Sequence, residues 1–273
     1  MTAYLSFEWL KLSKRWMPRI ILILLLGLLA VGFWGQGSRG ETPVNLFLPR
    51  GVLSALVYSA LFAPFFWPVL GGSWSGNEYG WGTIRMVLTR RPHRIEQALA
   101  ALIVLLVGLV IALIGVLLVG VVAGALVGVL TGNSAYVSGV LTGSFAGTLI
   151  KTFLAAWYVG AFYLILSYAC ATIFRSAAVG IGAAIGSSLA EFVLRRIFID
   201  LGGFWATIAN HFPVLYTSDL ATRVASAGLV PGYRPTYDPA SPGIQESLIA
   251  LGIFIAVLLV ATVGTVRARD ITA

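Results

Sequence analysis

Residue types that could do chemistry are few in this chain and badly placed for it. Only two histidines occur, His93 and His211, and no H-E-x-x-H pattern exists, so a histidine-based metal site is ruled out. The single cysteine, Cys170, excludes an internal disulfide framework and a cysteine-based zinc site, and reads as a small apolar core residue. Lys151-Thr152 follows Gly147, but a phosphate-binding loop needs a glycine directly before its lysine, and this pair sits in an apolar run. The expectation is that this chain does not itself hydrolyse ATP. Ser73-Trp74-Ser75-Gly76 has the look of a nucleophile loop, yet no histidine base is within reach. Expected, then, are no catalytic residue, no metal and no cofactor in this chain.

Two ionisable residues lie inside apolar segments, where such groups are functional candidates by default. Lys151 falls near the outer end of its segment, where it either snorkels to the headgroups or lines a pathway. Glu191 stands 16 residues past Arg175, about 24 Å along a helix, with Arg195 at i+4 as its expected partner. His211, beside Pro213, reads as a hydrogen-bonded interfacial residue.

The elements that must position these residues follow from composition. Of 273 residues, 59% are hydrophobic and 10% charged, where a soluble domain has about 25% charged. That excess must face lipid. Six segments have the length and apolarity to cross: 20–36, 53–72, 98–130, 149–174, 177–194 and 247–266. The third exceeds one crossing, which predicts tilt or extension with bends at Gly108 and Gly115. The fifth is rich in Gly, Ala and Ser, as suits a bundle interior. Residues 201–216, with Asn210, His211 and Pro213, are too polar to span and read as interfacial or re-entrant.

Charge placement orients the chain. With both termini inside, the inner segments carry eleven Lys and Arg against four Asp and Glu, and the outer ones seven against six. The positive-inside rule therefore favours six spans with both termini cytoplasmic, and it accounts for the net charge of +8 without nucleic acid. The basic N-terminal stretch is read as the flank of an uncleaved first span, not as a signal peptide. The predicted fold is all-α and polytopic: an interfacial amphipathic helix over 1–19, then a six-span domain over 20–273.

In that first helix Leu5, Trp9, Leu12 and Trp16 share one face, while Glu8, Lys11 and Arg15 share another, whose basic residues are expected to face anionic lipid. The 73–97 loop is too long for a minimal hairpin. It opens on a flexible Gly/Ser run and continues as a short amphipathic helix that ends at Pro92, a handle for a cytoplasmic partner or simply a basic loop. Glycines at four-residue spacing (Gly120, Gly124, Gly128; Gly139, Gly143, Gly147; Gly182, Gly186) allow close helix contact, within the chain or with a second subunit.

Residues 78–94 read Glu78, Gly82-Thr83-Ile84-Arg85, Leu88-Thr89 and Pro92-His93-Arg94. This resembles the E-x3-G-T-x-R-x2-L-[ST]-x2-P-x-R segment of ABC-2-type (ATP-binding cassette type 2) permeases. The six-span layout, the basic N-terminal helix and the long outer segment 198–246 are similar to that family as well. One departure is the Ala100-Ala101 pair, where members often carry a lysine. The resemblance implies a permease subunit coupled through this segment to cytoplasmic ATP-binding subunits, which would hold the ATP and Mg, and a second permease subunit, identical or not. It implies Glu78 and Arg85 as polar contacts of the coupling segment, Gly80 and Gly82 as its bend and Thr83 as a helix cap. Arg91 and Arg94 would pair with acidic groups of the ATPase or with lipid phosphates. The expected activity is export of an amphipathic or hydrophobic cargo (drug, peptide or lipid-like) across the plasma membrane. A secondary transporter would instead call for inverted repeats and midplane carboxylates, and a non-transporting scaffold for neither.

Overall fold

The computed structural model describes residues 1–37, 45–80, 94–130, 143–229 and 242–268, and no strand occurs among them. Among the described residues ten α-helices run in order: α1 Thr2–Lys14, α2 Trp16–Gly37, α3 Arg50–Leu61, α4 Ala63–Gly80, α5 Arg94–Leu130, α6 Gly143–Phe174, α7 Ala177–Leu201, α8 Gly203–Ala209, α9 Pro213–Ala225 and α10 Ile244–Ala268. Five of these, α2, α5, α6, α7 and α10, are long and apolar enough to cross a membrane. A sixth crossing exists if α3 and α4, bent by 58° at their junction, count as one span. The protein is an all-α, multi-pass membrane protein.

That bend corrects the reading of one straight span over 53–72, and proline chemistry explains it. Pro64 has no N–H, so the Ala60 carbonyl loses its i+4 donor and α3 closes on a Phe62 N–H to Tyr58 carbonyl bond of 3.0 Å. Pro68, inside α4, likewise leaves the Pro64 carbonyl without its helical donor. The Gly/Ser run expected to act as a flexible joint is helical and buried from Gly71 to Gly76. Consequently only residues 81–93 of the predicted coupling loop lie outside helices α4 and α5, and these fall outside the described residues.

α6 occupies the centre, against α3, α4, α5, α7, α9 and α10, with Val159, Leu164 and Ala169 fully buried. α4 makes the most extensive contacts, with α6 and α7, and two glycines allow them. A Cβ on Gly71 would lie 2.3 Å from the Leu164 carbonyl oxygen, and one on Gly76 only 2.2 Å from the Ala177 nitrogen. Polar side chains pin the same seam. Ser167 donates to the Pro68 carbonyl at 2.7 Å, and the Ser75 and Thr172 hydroxyls meet at 2.8 Å. The link from α6 to α7 is only two residues long. Arg175 turns it with a left-handed φ of 55°, and Ser176 caps α7 by accepting from the Val179 N–H.

α5 runs 37 residues, about 55 Å, well beyond one hydrocarbon thickness. Its glycines serve neighbours. Gly108 and Gly115 make room for Leu12 of α1 and for Leu22 and Leu26 of α2, while Gly120 and Gly124 sit against Ala55 of α3 and the Leu46 carbonyl. Of the other glycine stripes, Gly143, Gly147, Gly182 and Gly186 have nothing within 4 Å of a Cβ position, and Gly139 lies outside the described residues. The 201–216 stretch forms the short α8 and the start of α9, neither of membrane length.

Adding one methyl group separates these roles. Gly76→Ala drives a Cβ into the α7 backbone and lowers stability by about 1–3 kcal/mol. Gly27→Ala in α2, where nothing lies within 4 Å, raises it by up to about 1 kcal/mol through helix propensity. Unfolding midpoints in detergent micelles should move in opposite directions.

Candidate functional site

α1 turns its charged face inward. Tyr4, Glu8, Lys11 and Arg15 follow helical spacing, and Tyr4 and Glu8 are the buried residues of the helix. On the other side Trp9 is 45% exposed, while Leu5 and Leu12 are half-buried; Trp16, which opens α2, is 74% exposed. This corrects the expectation that the basic residues Lys11 and Arg15 face anionic lipid. The reason lies in the last turns of α4, where Trp74 and Glu78, four residues apart, present an indole N–H and a carboxylate on one face.

The two faces interlock through Lys11. Its ammonium donates to Glu8 Oε2 at 3.0 Å within α1 and to Glu78 Oε1 across to α4. Trp74 Nε1 donates to the same Glu8 oxygen at 2.7 Å. Lys11 Nζ lies 4.5 Å from the centre of the Trp74 ring, and the Arg15 guanidinium carbon 5.2 Å from it, both in cation–π range. Side-chain exposure is 7% for Lys11, 0% for Glu8 and 14% for Glu78, so water screens these contacts little.

Two carboxylates and two cations make the cluster formally neutral. That balance is what allows burial, because an unpaired charge in such a place shifts its protonation or destabilises the fold. Burial pulls the Arg15 guanidinium below its ordinary value, opposed by the carboxylates of Glu78 and Glu8. It stays protonated at neutral pH nonetheless. One atom is left over: Glu8 Oε1 is buried with no hydrogen-bond partner among the described residues. The arrangement has no nucleophile–base geometry. It is a mechanical tie between α1 and the end of α4, the helix that leads into residues 81–93.

Of the residues singled out for coupling, Glu78 is brought into this tie, turned toward α1. Gly80 ends α4, exposed, with open space around it. Gly82, Thr83, Arg85 and Arg91 lie outside the described residues, as does the side chain of Arg94, which opens α5. Glu8, Lys11 and Trp74 were missed as site residues. Their signal was a helix face carrying both signs of charge, matched by Trp74 and Glu78 at i, i+4.

At the opposite end of the bundle Glu191 has a partner that its i+4 spacing did not indicate. Its Oε2 accepts from the Val214 N–H at 2.8 Å, in the first turn of α9. A carboxylate there satisfies an orphan amide and complements the helix dipole. Nearby, the buried Tyr163 and Thr217 hydroxyls meet at 2.8 Å and bind α9 to α6. Lys151 is exposed on α6, and His211 Nδ1 lies 2.8 Å from the Thr207 carbonyl. Among the described residues no group of three potential metal ligands occurs.

Residues 4–190, more than half of the chain, match the family described as ABC-2 family transporter proteins. The chain belongs to that family. The matched region contains both halves of the charge cluster, and in this ABC-2 family chain it ends one residue before Glu191. No curated protein matches the sequence.

The tie makes a sharp contrast between neighbouring lysines. Lys11→Met leaves two carboxylates buried beside a neutral side chain and costs about 3–5 kcal/mol. Lys14→Met, at an exposed position on the same helix, stays within about 0.5 kcal/mol. Reversible unfolding in mixed micelles reads both.

Proposed function

We propose that this chain is the membrane-spanning permease subunit of an ATP-driven exporter, working with separate cytoplasmic ATP-binding subunits and a second permease subunit. On this reading six spans cross the plasma membrane with both termini cytoplasmic, α3 and α4 together making the second span. The cargo is amphipathic or hydrophobic. Family membership supports the reading, as does a bundle packed around a large cluster of buried apolar side chains.

The observation that carries the mechanism is the Lys11 bridge between Glu8 and Glu78. The 78–94 segment is the part of the chain that would meet an ATPase, through Arg85, Arg91 and Arg94, with Gly80, Gly82 and Thr83 shaping it. Glu78 then acts from inside. It hands displacement of that segment to α1, and α1 continues through Arg15 directly into α2. The same α4 is wedged by Gly71 and Gly76 against α6 and α7, so a push at its end is delivered to three spans at once. Trp9, exposed on α1, and Trp16, exposed at the start of α2, sit at headgroup depth and keep this corner in the interface as it moves.

The test is purification with candidate cytoplasmic ATPases from a shared expression system. The chain should co-purify with one of them and raise its ATP turnover, and Arg85→Ala should reduce that stimulation at least tenfold while the complex's permease subunit stays folded. Transport driven by an ion gradient with no ATPase bound would contradict the reading.

A further inference from the structure

At the α1 end of the bundle a cleft of about 270 Å³ lies between α1, the first turns of α2, α4 and α5. Its walls are apolar, formed by Leu12, Ile21, Leu22, Leu70, Ile111 and Ala112. Gly108 lines it too, and any side chain there would press on Leu12. The rim is of another character, with Trp9, Ser13 and Arg19. Arg19 donates to the Ser13 carbonyl and lies over the Trp16 ring at 5.7 Å, which holds the guanidinium at the mouth. Among the described residues no carboxylate forms an ion pair with Arg19 or with Lys14, the exposed neighbour of Ser13. The other cations of this region, Lys11 and Arg15, are taken up by the buried cluster.

A second cleft, of about 390 Å³, lies farther along α2 and α5 among Phe33, Trp34, Leu118, Val122 and Leu126. Among the described residues no charged one lines it. Apolar volume and an exposed indole are common to both, and among the described residues the cationic rim belongs to the first. Arginine matches a phosphate with paired N–H donors, and indoles favour headgroup depth.

We propose that the first cleft holds one anionic phospholipid, its acyl chain along Leu22, Leu70 and Ile111 and its phosphate on Arg19 with Lys14 alongside. The lipid would fill the angle between α1 and α2, against the helix pair that carries the charge cluster. The proposal needs only that α2 spans a bilayer, and it stands whether or not an ATPase docks on this chain.

Native mass spectrometry of the detergent-purified chain tests it, with phosphatidylglycerol and phosphatidylcholine of identical acyl chains added in turn. Expected is one retained phosphatidylglycerol per chain, with phosphatidylcholine retained at least about tenfold less. Arg19→Gln, an exposed change, should cut the preference roughly fivefold, and Lys14→Gln roughly fivefold again. Leu22→Trp fills the cleft and should abolish retention of either lipid. Equal retention of the two lipids by the unaltered chain would overturn the proposal. So would an undiminished preference in Arg19→Gln, or unchanged retention in a folded Leu22→Trp chain.

Discussion

A lysine that cannot leave its two carboxylates without stranding them organises the α1 end of this protein. Lys11 is held between Glu8 of its own helix and Glu78 of α4, under the Trp74 indole, at a depth where none of the three charged groups is solvated enough to stand alone. Everything near it follows from that requirement. α1 must roll its charged face toward the bundle, so Trp9 turns outward. Leu12 must come down on α5, which is possible because position 108 is glycine. A cluster of this kind adds little net stability compared with an apolar core, but it specifies one register, because any slip of α1 along α4 separates the charges.

The other constraint is contact of backbone with backbone. α4 has glycine where it meets Leu164 of α6 and Ala177 of α7, and its broken entry at Phe62 aims it there. Packed interfaces of this density move as bodies. A helix fixed by charge at its end and by close approach along its length is suited to carry a displacement, and the apolar, loosely covered α10 is not.

Much of the architecture was legible in the sequence because hydrocarbon thickness is a one-dimensional rule. The spans over 20–36, 98–130, 149–174, 177–194 and 247–266 correspond to α2, α5, α6, α7 and α10. The short helices over 201–216 agree with Asn210, His211 and Pro213 breaking that stretch. What the rule could not see was direction. Glu8, Lys11 and Arg15 form a polar stripe whether they face water or a complementary stripe, and only Trp74 and Glu78 on another helix decide between them. Gly71 to Gly76 reads as a hinge in isolation, yet the same absence of side chains is what close helix contact demands. Glu191 was placed in its span, but its partner, the Val214 N–H, is a backbone group with no signature in composition.

The most direct test of this account is a double-mutant cycle on Lys11→Met and Glu78→Gln, read by reversible unfolding in mixed micelles. If Lys11 ties α1 to α4 by a buried ion pair, the two changes are strongly non-additive, with a coupling energy of at least about 1.5 kcal/mol. Additivity within about 0.3 kcal/mol would mean that the two helices are held by apolar packing alone, and it would contradict the account.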